Sequence, residues 1–283
     1  MTLMPPGTDT AIGELADFVA RHPRLFVLTG AGISTDSGIP GYRDDKGQWQ
    51  RSPPITLQAF LGSHGARQRY WARSMIGWPV TAQASPNAAH HALARMGRHG
   101  LLTALVTQNV DGLHQRAGSE GVIELHGGLG EVVCLQCGQR HARADIQQWL
   151  LDENEALRDA VAAPAADGDA HFESPQFAQF QVPACGVCAG ILKPDVVFFG
   201  ESVPRERVNA ARAALEASDA VLVAGSSLMV YSGYRFCVWA GELGKPVAAL
   251  NLGQTRADAM LALKVRESCG PALTALADGL GLA

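Results

Sequence analysis

The stretch Leu25-Phe-Val-Leu-Thr-Gly30-Ala-Gly-Ile-Ser34 joins an apolar run to a turn made of small residues. An uninterrupted apolar run of this length is typical of a parallel strand that is buried on both faces. Small residues directly after such a strand let backbone N–H groups approach a pyrophosphate near a helix N-terminus. The stretch therefore predicts a nucleotide-binding turn, and a tight strand-to-helix turn without a ligand is the alternative.

This turn departs from the usual dinucleotide fingerprint G-x-G-x-x-G. Gly30 and Gly32 supply the first two glycines, but Thr35 stands where the third is expected. No acidic residue follows about 20 positions later to hold a ribose hydroxyl. The departure disfavours an ordinary hydride-transferring dehydrogenase.

Further short apolar runs recur along the chain, and each ends in a polar or glycine-rich turn. With Arg24–Thr29 they are Leu102–Thr107, Val122–Leu125, Val196–Phe199, Ala220–Ala224 and Pro246–Leu250. Helical stretches such as Pro86–Arg98 and Pro204–Ala217 lie between several of them. This alternation predicts the α/β class, with a doubly wound, mainly parallel, Rossmann-like sheet. Ligands of such sheets bind at the carboxyl ends of the strands.

Two segments interrupt the alternation of strands and helices. Residues 44–85 look helical and carry aromatic side chains, and residues 131–194 contain two cysteine pairs. We therefore expect residues 1–130 and 195–283 to form the Rossmann-like domain, with a helical insertion at about 44–85 and a small metal-binding module at 131–194. Within that module, Ala160–Pro183 is rich in Ala, Pro, Asp and Gly and is interpreted as a loop.

Composition limits the partners and the compartment. The 283 residues are 47% hydrophobic and 18% charged, with a net charge of −4 and no cluster of Lys and Arg, so a nucleic-acid partner is not expected. No apolar run reaches the roughly 18 to 20 residues of a membrane span. The first basic residue is Arg21, so the N-terminus resembles neither a secretory signal nor a mitochondrial presequence. We expect a cytoplasmic protein whose partners are small molecules or proteins.

Four of the six cysteines form the pattern C-x2-C-x47-C-x2-C, through Cys134, Cys137, Cys185 and Cys188. Two such knuckles can present four thiolates tetrahedrally to one metal ion. A closed four-sulfur site leaves no open coordination position, so we expect a structural zinc rather than a catalytic one. Tetrahedral sulfur ligation alone does not separate zinc from iron.

Two groups of polar residues follow predicted strands. His126 has space around its imidazole because Gly127 comes next, and its ordinary pKa near 6.5 suits a general base. Gln108-Asn-Val-Asp111 ends the preceding strand and so belongs to the same edge of the sheet. A structural histidine and a polar loop that caps a helix are the alternatives.

Taken together, the motifs resemble those of a known family. The segments that carry the resemblance occur in order as Gly30–Pro40, Thr107–Asp111, Glu124–Gly127, Lys193–Glu201 and Gly225–Ser227. The chain looks like a sirtuin, an NAD-dependent protein lysine deacylase, from about residue 14 to residue 280. Arg67–Arg73 and Val230–Arg235 look most like the class II branch, which includes mitochondrial sirtuin 4.

The resemblance implies how NAD binds. Gly30, Ala31 and Gly32 would lie on the pyrophosphate, and a loop from Asp36 to Arg43 would close over the nicotinamide, with Arg43 facing phosphate. Tyr42 stands where the family usually has Phe. Gln108 and Asn109 would contact the nicotinamide ribose, and Asp111 would contact the carboxamide. Gly225, Ser226 and Ser227 would bind the adenosine side. Cys269 would lie near the adenine, and Asn251 would bind the hydroxyls of its ribose.

The resemblance also implies the reaction and its substrates. The oxygen of an acyl-lysine amide would attack the nicotinamide ribose and expel nicotinamide. His126, with Asn109 beside it, would then activate a ribose hydroxyl, and the products would be lysine and O-acyl-ADP-ribose. The substrate peptide would pair with backbone around Val197, Phe198, Gly200 and Glu201, and around Leu228–Tyr231.

The acyl group would enter a pocket that contains Tyr70 and Arg73. Their Y-x-x-R spacing is the one that acid-acyl-selective sirtuins use, and on a helix it puts both side chains on one face. It predicts a preference for acyl groups such as glutaryl or hydroxymethylglutaryl, and an exposed helix arginine is the alternative.

Two other functions stay open at this point. The first is a mono-ADP-ribosyltransferase that uses the same NAD site, and the second is a zinc-ribbon scaffold whose nucleotide loop is vestigial. The sequence does not indicate the protein substrate or the oligomeric state.

Overall fold

The structure is a computed structural model that describes residues 8–42, 44, 46, 48, 54–165 and 167–282, and its strands form two sheets. The strands are β1 (Leu25–Thr29), β2 (Leu102–Thr107), β3 (Ile123–Glu124), β4 (Gly127–Cys134), β5 (Arg140–Ala142), β6 (Leu192–Val196), β7 (Ala220–Ala224), β8 (Val247–Leu250) and β9 (Leu263–Val265). The larger sheet has the order β3-β2-β1-β7-β8-β9, and the smaller has the order β5-β4-β6.

All neighbouring strands of the larger sheet run parallel. The strand order reverses beside β1, which pairs with β2 on one side and with β7 on the other. Every residue of β1 and of β7 is buried, as the apolar runs in the sequence predict. The crevice beyond the carboxyl ends of β1 and β7 is the place where such sheets bind ligands.

Helices cover both faces of this sheet and explain why its strands are apolar throughout. The helices are α1 (Thr8–Arg21), α2 (Leu57–Gly62), α3 (His64–Gln83), α4 (Ala88–Arg98), α5 (Leu113–Arg116), α6 (Arg143–Glu153), α7 (Arg205–Ala217), α8 (Tyr231–Glu242) and α9 (Cys269–Gly279). The core on one face joins α1, α4 and α9, and that on the other joins α7 and α8. Within the described part of the chain, no helix has both the length and the apolar character of a bilayer span.

The smaller lobe combines helices of the helical insertion with the segment that carries the cysteine pairs. Its sheet is antiparallel, and its core combines Trp71 and Met75 of α3 with Leu150 of α6 and with Phe177 and Phe180 between the cysteine pairs. Arg143 is fully buried there, with its guanidinium 4.7 Å from the centre of the Trp78 ring. The helical insertion and the cysteine segment therefore share one core.

One predicted strand is wrong. Val196–Phe199 was expected in the parallel sheet, but the strand at this point is β6, Leu192–Val196, and it pairs antiparallel with β4. An apolar run predicts burial, but its partner is chosen by contacts that the local pattern does not contain. The domain boundaries at residues 131 and 194 stay a prediction, and the paired strands of the small sheet extend to Gly127 and Val196.

Candidate active site

A cavity of about 800 Å³ lies between the sheet edge and the smaller lobe. The predicted site residues in its wall are Gly30, Ala31, Gly32, Asp36, Tyr42, Tyr70, Gln108, Asn109, His126, Val197, Phe198, Gly200, Glu201, Gly225, Ser226, Ser227, Asn251 and Cys269. Arg43 lies outside the described residues. Asp111 and Arg73 are not part of the wall.

The turns after β1 and β7 contact each other backbone to backbone. Gly32 N donates to Gly225 O at 2.8 Å, and a Cβ on Gly32 would lie at the same distance from that oxygen. Gly225 has a φ of +63°, and a Cβ there would lie 2.4 Å from Ile33 N. Such an approach requires glycine at both positions. The amides of the β1 turn thus lie at the rim of the cavity with little side chain above them.

We expect Gly32→Ala to abolish detectable NAD binding, because the new methyl would push the two turns apart. A matched control is Gly13→Ala in α1, where an added Cβ meets nothing within 4 Å and where alanine is favoured by about 0.5–1 kcal/mol. Calorimetric titration with NAD and thermal unfolding check both variants. Wild-type NAD affinity in Gly32→Ala would show that the contact does not shape the site.

Hydrogen bonds tie the predicted polar run to the two glycine turns. Gln108 Nε2 donates to Ser226 Oγ at 2.8 Å, and Asn109 Nδ2 donates to Ser34 Oγ at 3.0 Å. Ser34 Oγ donates in turn to Asp111 Oδ2 at 2.7 Å. Asp111 Oδ1 accepts the N–H of Leu113 at 2.9 Å, so this carboxylate also fixes the turn that leads into α5. Gln108 and Asn109 are therefore fixed parts of the wall, and Asp111, outside the wall, anchors the same run.

Two buried histidines, which the sequence analysis did not single out, pack beside this network. His114 Nε2 hydrogen-bonds to Thr29 Oγ1 at 2.9 Å, and His90 lies edge-on to His114 with 4.8 Å between the ring centres. Burial lowers the pKa of His90 to about 4 and that of His114 to about 3. Both rings are consequently neutral at physiological pH and can support the site without adding charge.

His126 is held by one partner on each ring nitrogen. Its Nδ1 lies 2.8 Å from the carbonyl oxygen of Gln108, which can only accept, so Nδ1 carries the proton. Its Nε2 then accepts from the hydroxyl of Ser232 at 2.7 Å. Burial lowers the pKa of His126 below 6.5, against the opposite effect of the Gln108 carbonyl. The geometry gives a neutral imidazole with its basic nitrogen beside Ser232 in the cavity wall.

The segment from Val197 to Glu201 is fixed by a partly buried ion pair. Lys193 Nζ donates to Glu201 Oε2 at 3.0 Å and lies 4.8 Å from the centre of the Phe198 ring. The same Glu201 oxygen accepts the N–H of Phe198 at 2.8 Å. Phe199 O is also engaged, by the N–H of Leu57. The Glu201 carboxylate thus holds the loop in shape.

Tyr70 and Arg73 have different surroundings, although both belong to α3. Tyr70 is buried in the cavity wall beside Phe60 and Phe198. Arg73 Nη2 forms a 2.9 Å ion pair with Asp169, and Arg73 Nε donates to Ala170 O at 2.7 Å. Asp167, two residues before Asp169, lines the cavity and was not singled out from the sequence. The guanidinium is therefore engaged by the segment between the cysteine pairs.

The four predicted cysteine ligands come together in the smaller lobe. Their sulfur atoms all lie within 4.8 Å of one another, and the Cys134–Cys188 and Cys137–Cys185 pairs are 3.5 and 3.7 Å apart. Zinc–sulfur bonds of about 2.3 Å in a tetrahedron put the sulfurs about 3.8 Å apart. These separations fit a structural zinc ion held by four thiolates.

Comparison with known proteins adds to this geometry. The sequence model of the Sir2 family matches residues 30–232. The "NAD-dependent protein deacetylase" of Xanthomonas campestris pv. campestris (strain 8004) is 59% identical over 262 residues, which are 93% of this chain and 89% of the relative. "NAD-dependent protein deacetylase 1" of Streptomyces coelicolor is 50% identical over 279 residues, 99% of this chain and 93% of that one.

The fold also matches solved structures along nearly its whole length. One described as "Sir2-p53 peptide-NAD+" is 29% identical, with a TM-score of 0.77, and covers 96% of this chain and 99% of its own. Another, "Sir2 bound to acetylated peptide", is 29% identical with a TM-score of 0.74 and covers 96% of this chain. Both similarities extend over the two lobes and the cavity between them.

Proposed function

This chain belongs to the Sir2 family and is an NAD-dependent protein deacetylase of the sirtuin type, and we propose that His126 is its general base. The observation that carries the proposal is the pair of hydrogen bonds that leaves the proton on Nδ1 and the lone pair on Nε2. A neutral imidazole in the cavity wall can take a proton at neutral pH.

We further propose that NAD lies along the edge formed by β1, β2 and β7. Amide N–H groups of Gly30–Gly32 would meet the pyrophosphate. Gln108, Asn109 and Asp111 would hold the nicotinamide end, and Ser226, Ser227 and Asn251 the adenosine end. The hydrogen bonds that join Gln108 to Ser226 and Asn109 to Ser34 support one continuous surface for the dinucleotide.

In the reaction that we propose, the acyl-lysine oxygen attacks C1′ of the nicotinamide ribose as nicotinamide leaves. His126 Nε2 then takes the proton of a ribose hydroxyl while that hydroxyl oxygen bonds to the former amide carbon. Water completes the transfer and gives lysine and O-acetyl-ADP-ribose. The side chains hold the reactants in position and exclude water, which is how geometry lowers a barrier of this kind. The zinc stabilises the smaller lobe and takes no part in these steps.

The acyl preference that we propose differs from the acidic one expected from Tyr70 and Arg73. That expectation needs a guanidinium free to hold an acyl carboxylate, but Asp169 and Ala170 O already engage it. A carboxylate substrate would have to displace a partner that is itself a buried carboxylate. We therefore propose that the enzyme prefers neutral acyl groups such as acetyl.

Incubation with NAD and one lysine peptide in acetyl and glutaryl forms tests both proposals. We expect mass spectrometry to detect O-acetyl-ADP-ribose. We also expect kcat/KM for the glutaryl peptide to be lower than that for the acetyl peptide by a factor of about ten or more. Equal or faster glutaryl turnover would contradict the neutral preference. Adenine-labelled NAD run in parallel distinguishes ADP-ribosyl transfer, which would leave label on protein.

We also propose a branch of the family and a cellular compartment. Placement in the class II branch is supported by the similarity of Arg67–Arg73 and Val230–Arg235 to that branch. A cytoplasmic location is supported by the bacterial sources of the named relatives and by four thiols arranged as metal ligands, which persist in a reducing compartment.

A further inference from the structure

Within the segment between the two cysteine pairs, residues 164–165 pair with residues 169–170 as a small hairpin, and Asp167 beside it lines the cavity. Pro164 and Ala170 pair as antiparallel bridge partners, and Ala165 N donates to Asp169 O at 2.8 Å. Gly168, at the tip, has a φ of +73°, which lets the chain reverse there. Asp167 precedes this glycine and lines the cavity.

The hairpin is held against α3 and β4 by close contacts. A Cβ on Gly77 of α3 would lie 2.2 Å from Asp169 O, so helix and hairpin touch backbone to backbone. A Cβ on Gly168 would lie 2.7 Å from Leu129 Cδ1. Arg73 adds its ion pair with Asp169. The position of Asp167 is therefore fixed by packing on two sides.

Charge is unevenly matched at this end of the cavity. Asp169 is paired with Arg73, whereas Asp167 Oδ1 accepts the N–H of Asp169 at 3.3 Å, and no salt bridge to Asp167 occurs among the described residues. The exposed Glu173 is itself paired, because it forms an ion pair with Arg69 and lies 3.8 Å from Arg73. Burial raises the pKa of Asp167, and burial together with Asp167 raises that of Asp169 to about 7.

Tyr70 connects this carboxyl group with the proposed acyl site. Tyr70 and Asp167 both line the cavity, and the charge of Asp167 raises the pKa of the Tyr70 phenol after the larger effect of burial. Tyr42 belongs to the same wall, and the charge of Asp167 also raises the pKa of its phenol, again after the larger effect of burial. Arg73 lies one turn along α3 from Tyr70 and pairs with Asp169, so Tyr70 and Asp167 lie at the same end of the cavity. The far end of an acyl chain beside Tyr70 would therefore meet Asp167.

We propose that Asp167 is a specificity-determining residue that recognises the far end of the acyl group: it accepts a hydrogen bond from a hydroxyacyl chain and disfavours a chain that ends in a carboxylate. This inference rests on the proposed acyl site. A hydroxyl donates to a carboxyl group whether that group is ionised or neutral. At pH values above its raised pKa, Asp167 is ionised, and a substrate carboxylate then meets a like charge where solvent screening is weak.

The test compares Asp167→Asn with the wild type on one lysine peptide carrying acetyl, butyryl, 3-hydroxybutyryl or succinyl. Asparagine keeps the shape and removes the charge. We expect the ratio of succinyl to acetyl kcat/KM to rise about tenfold in Asp167→Asn. In Asp167→Leu, which removes the acceptor, we expect the preference of the wild type for 3-hydroxybutyryl over butyryl to disappear. Glu173→Gln, an exposed carboxylate of the same segment, is the matched control and should change neither ratio.

Unchanged ratios in both Asp167 variants would overturn the inference, provided that wild-type protein forms O-acetyl-ADP-ribose. Absence of that product from wild-type protein would instead contradict the proposed function. If the variants do not fold, the acyl preferences of the wild type can still overturn the inference. Succinyl turnover equal to butyryl turnover, or no preference for 3-hydroxybutyryl over butyryl, would overturn the role of Asp167.

Discussion

Replacing His126 with alanine is expected to lower kcat for deacetylation by about 10²- to 10⁴-fold, the contribution of a positioned general base. The hydrogen bond from Nδ1 to Gln108 O fixes the ring, and no other side chain offers a basic nitrogen beside Ser232 among the residues described in the cavity wall. Single-turnover formation of O-acetyl-ADP-ribose measures the loss.

The matched control is His91→Ala, an exposed histidine of α4 outside the cavity wall. It should keep wild-type kcat, which excludes a general effect of removing an imidazole. Calorimetric titration with NAD should show binding to the His126 variant, because the loss lies in proton transfer. Wild-type kcat in His126→Ala would rule out His126 as the base.

The pH dependence follows from the same geometry. Burial lowers the pKa of His126 below 6.5, so the neutral, basic form persists at pH values where a free histidine is already protonated. Activity should therefore be lost on the acid side only as pH falls through that lowered pKa. An acid limb above pH 6.5 in the kcat profile would contradict the assignment.

Cys134→Ser is expected to release the metal ion and unfold the smaller lobe. Structural zinc binding contributes about 10–16 kcal/mol in small zinc-finger peptides, which is comparable to the total free energy of unfolding of a typical domain, about 5–15 kcal/mol. Cys134 is buried at the end of β4 and its sulfur is 3.5 Å from that of Cys188, so a serine there leaves a three-sulfur site with a buried hydroxyl. Elemental analysis and thermal unfolding measure the effect.

Cys237→Ala is the matched control, since Cys237 is buried in α8 and takes no part in the quartet. It should retain the metal and lose only about 1 kcal/mol through a small cavity. Elemental analysis of the wild type also distinguishes zinc from iron. A wild-type metal content in Cys134→Ser would show that the quartet does not form the binding site.

Local patterns predicted the parts of this protein that depend on local physics. The apolar runs that form β1 and β7 are buried on both faces because helices cover both faces of the sheet. The glycines at 30 and 32 were expected to let backbone approach a ligand, and they also let the β1 turn touch the β7 turn. The run Val196–Phe199 shows the limit of such patterns, because its apolar residues indicate burial without indicating a partner strand.

The sequence by itself determined the α/β class, the family and the identity of the glycine turns, the polar run and the four cysteines, since each is encoded by neighbouring residues or a fixed spacing. Only the tertiary structure decided that Ser232 faces His126, that Asp169 occupies Arg73 and that Asp167 reaches the cavity. These contacts join residues that are about a hundred positions apart, and their partners are selected by packing of whole elements. The periodicity of the local sequence therefore does not predict these partners.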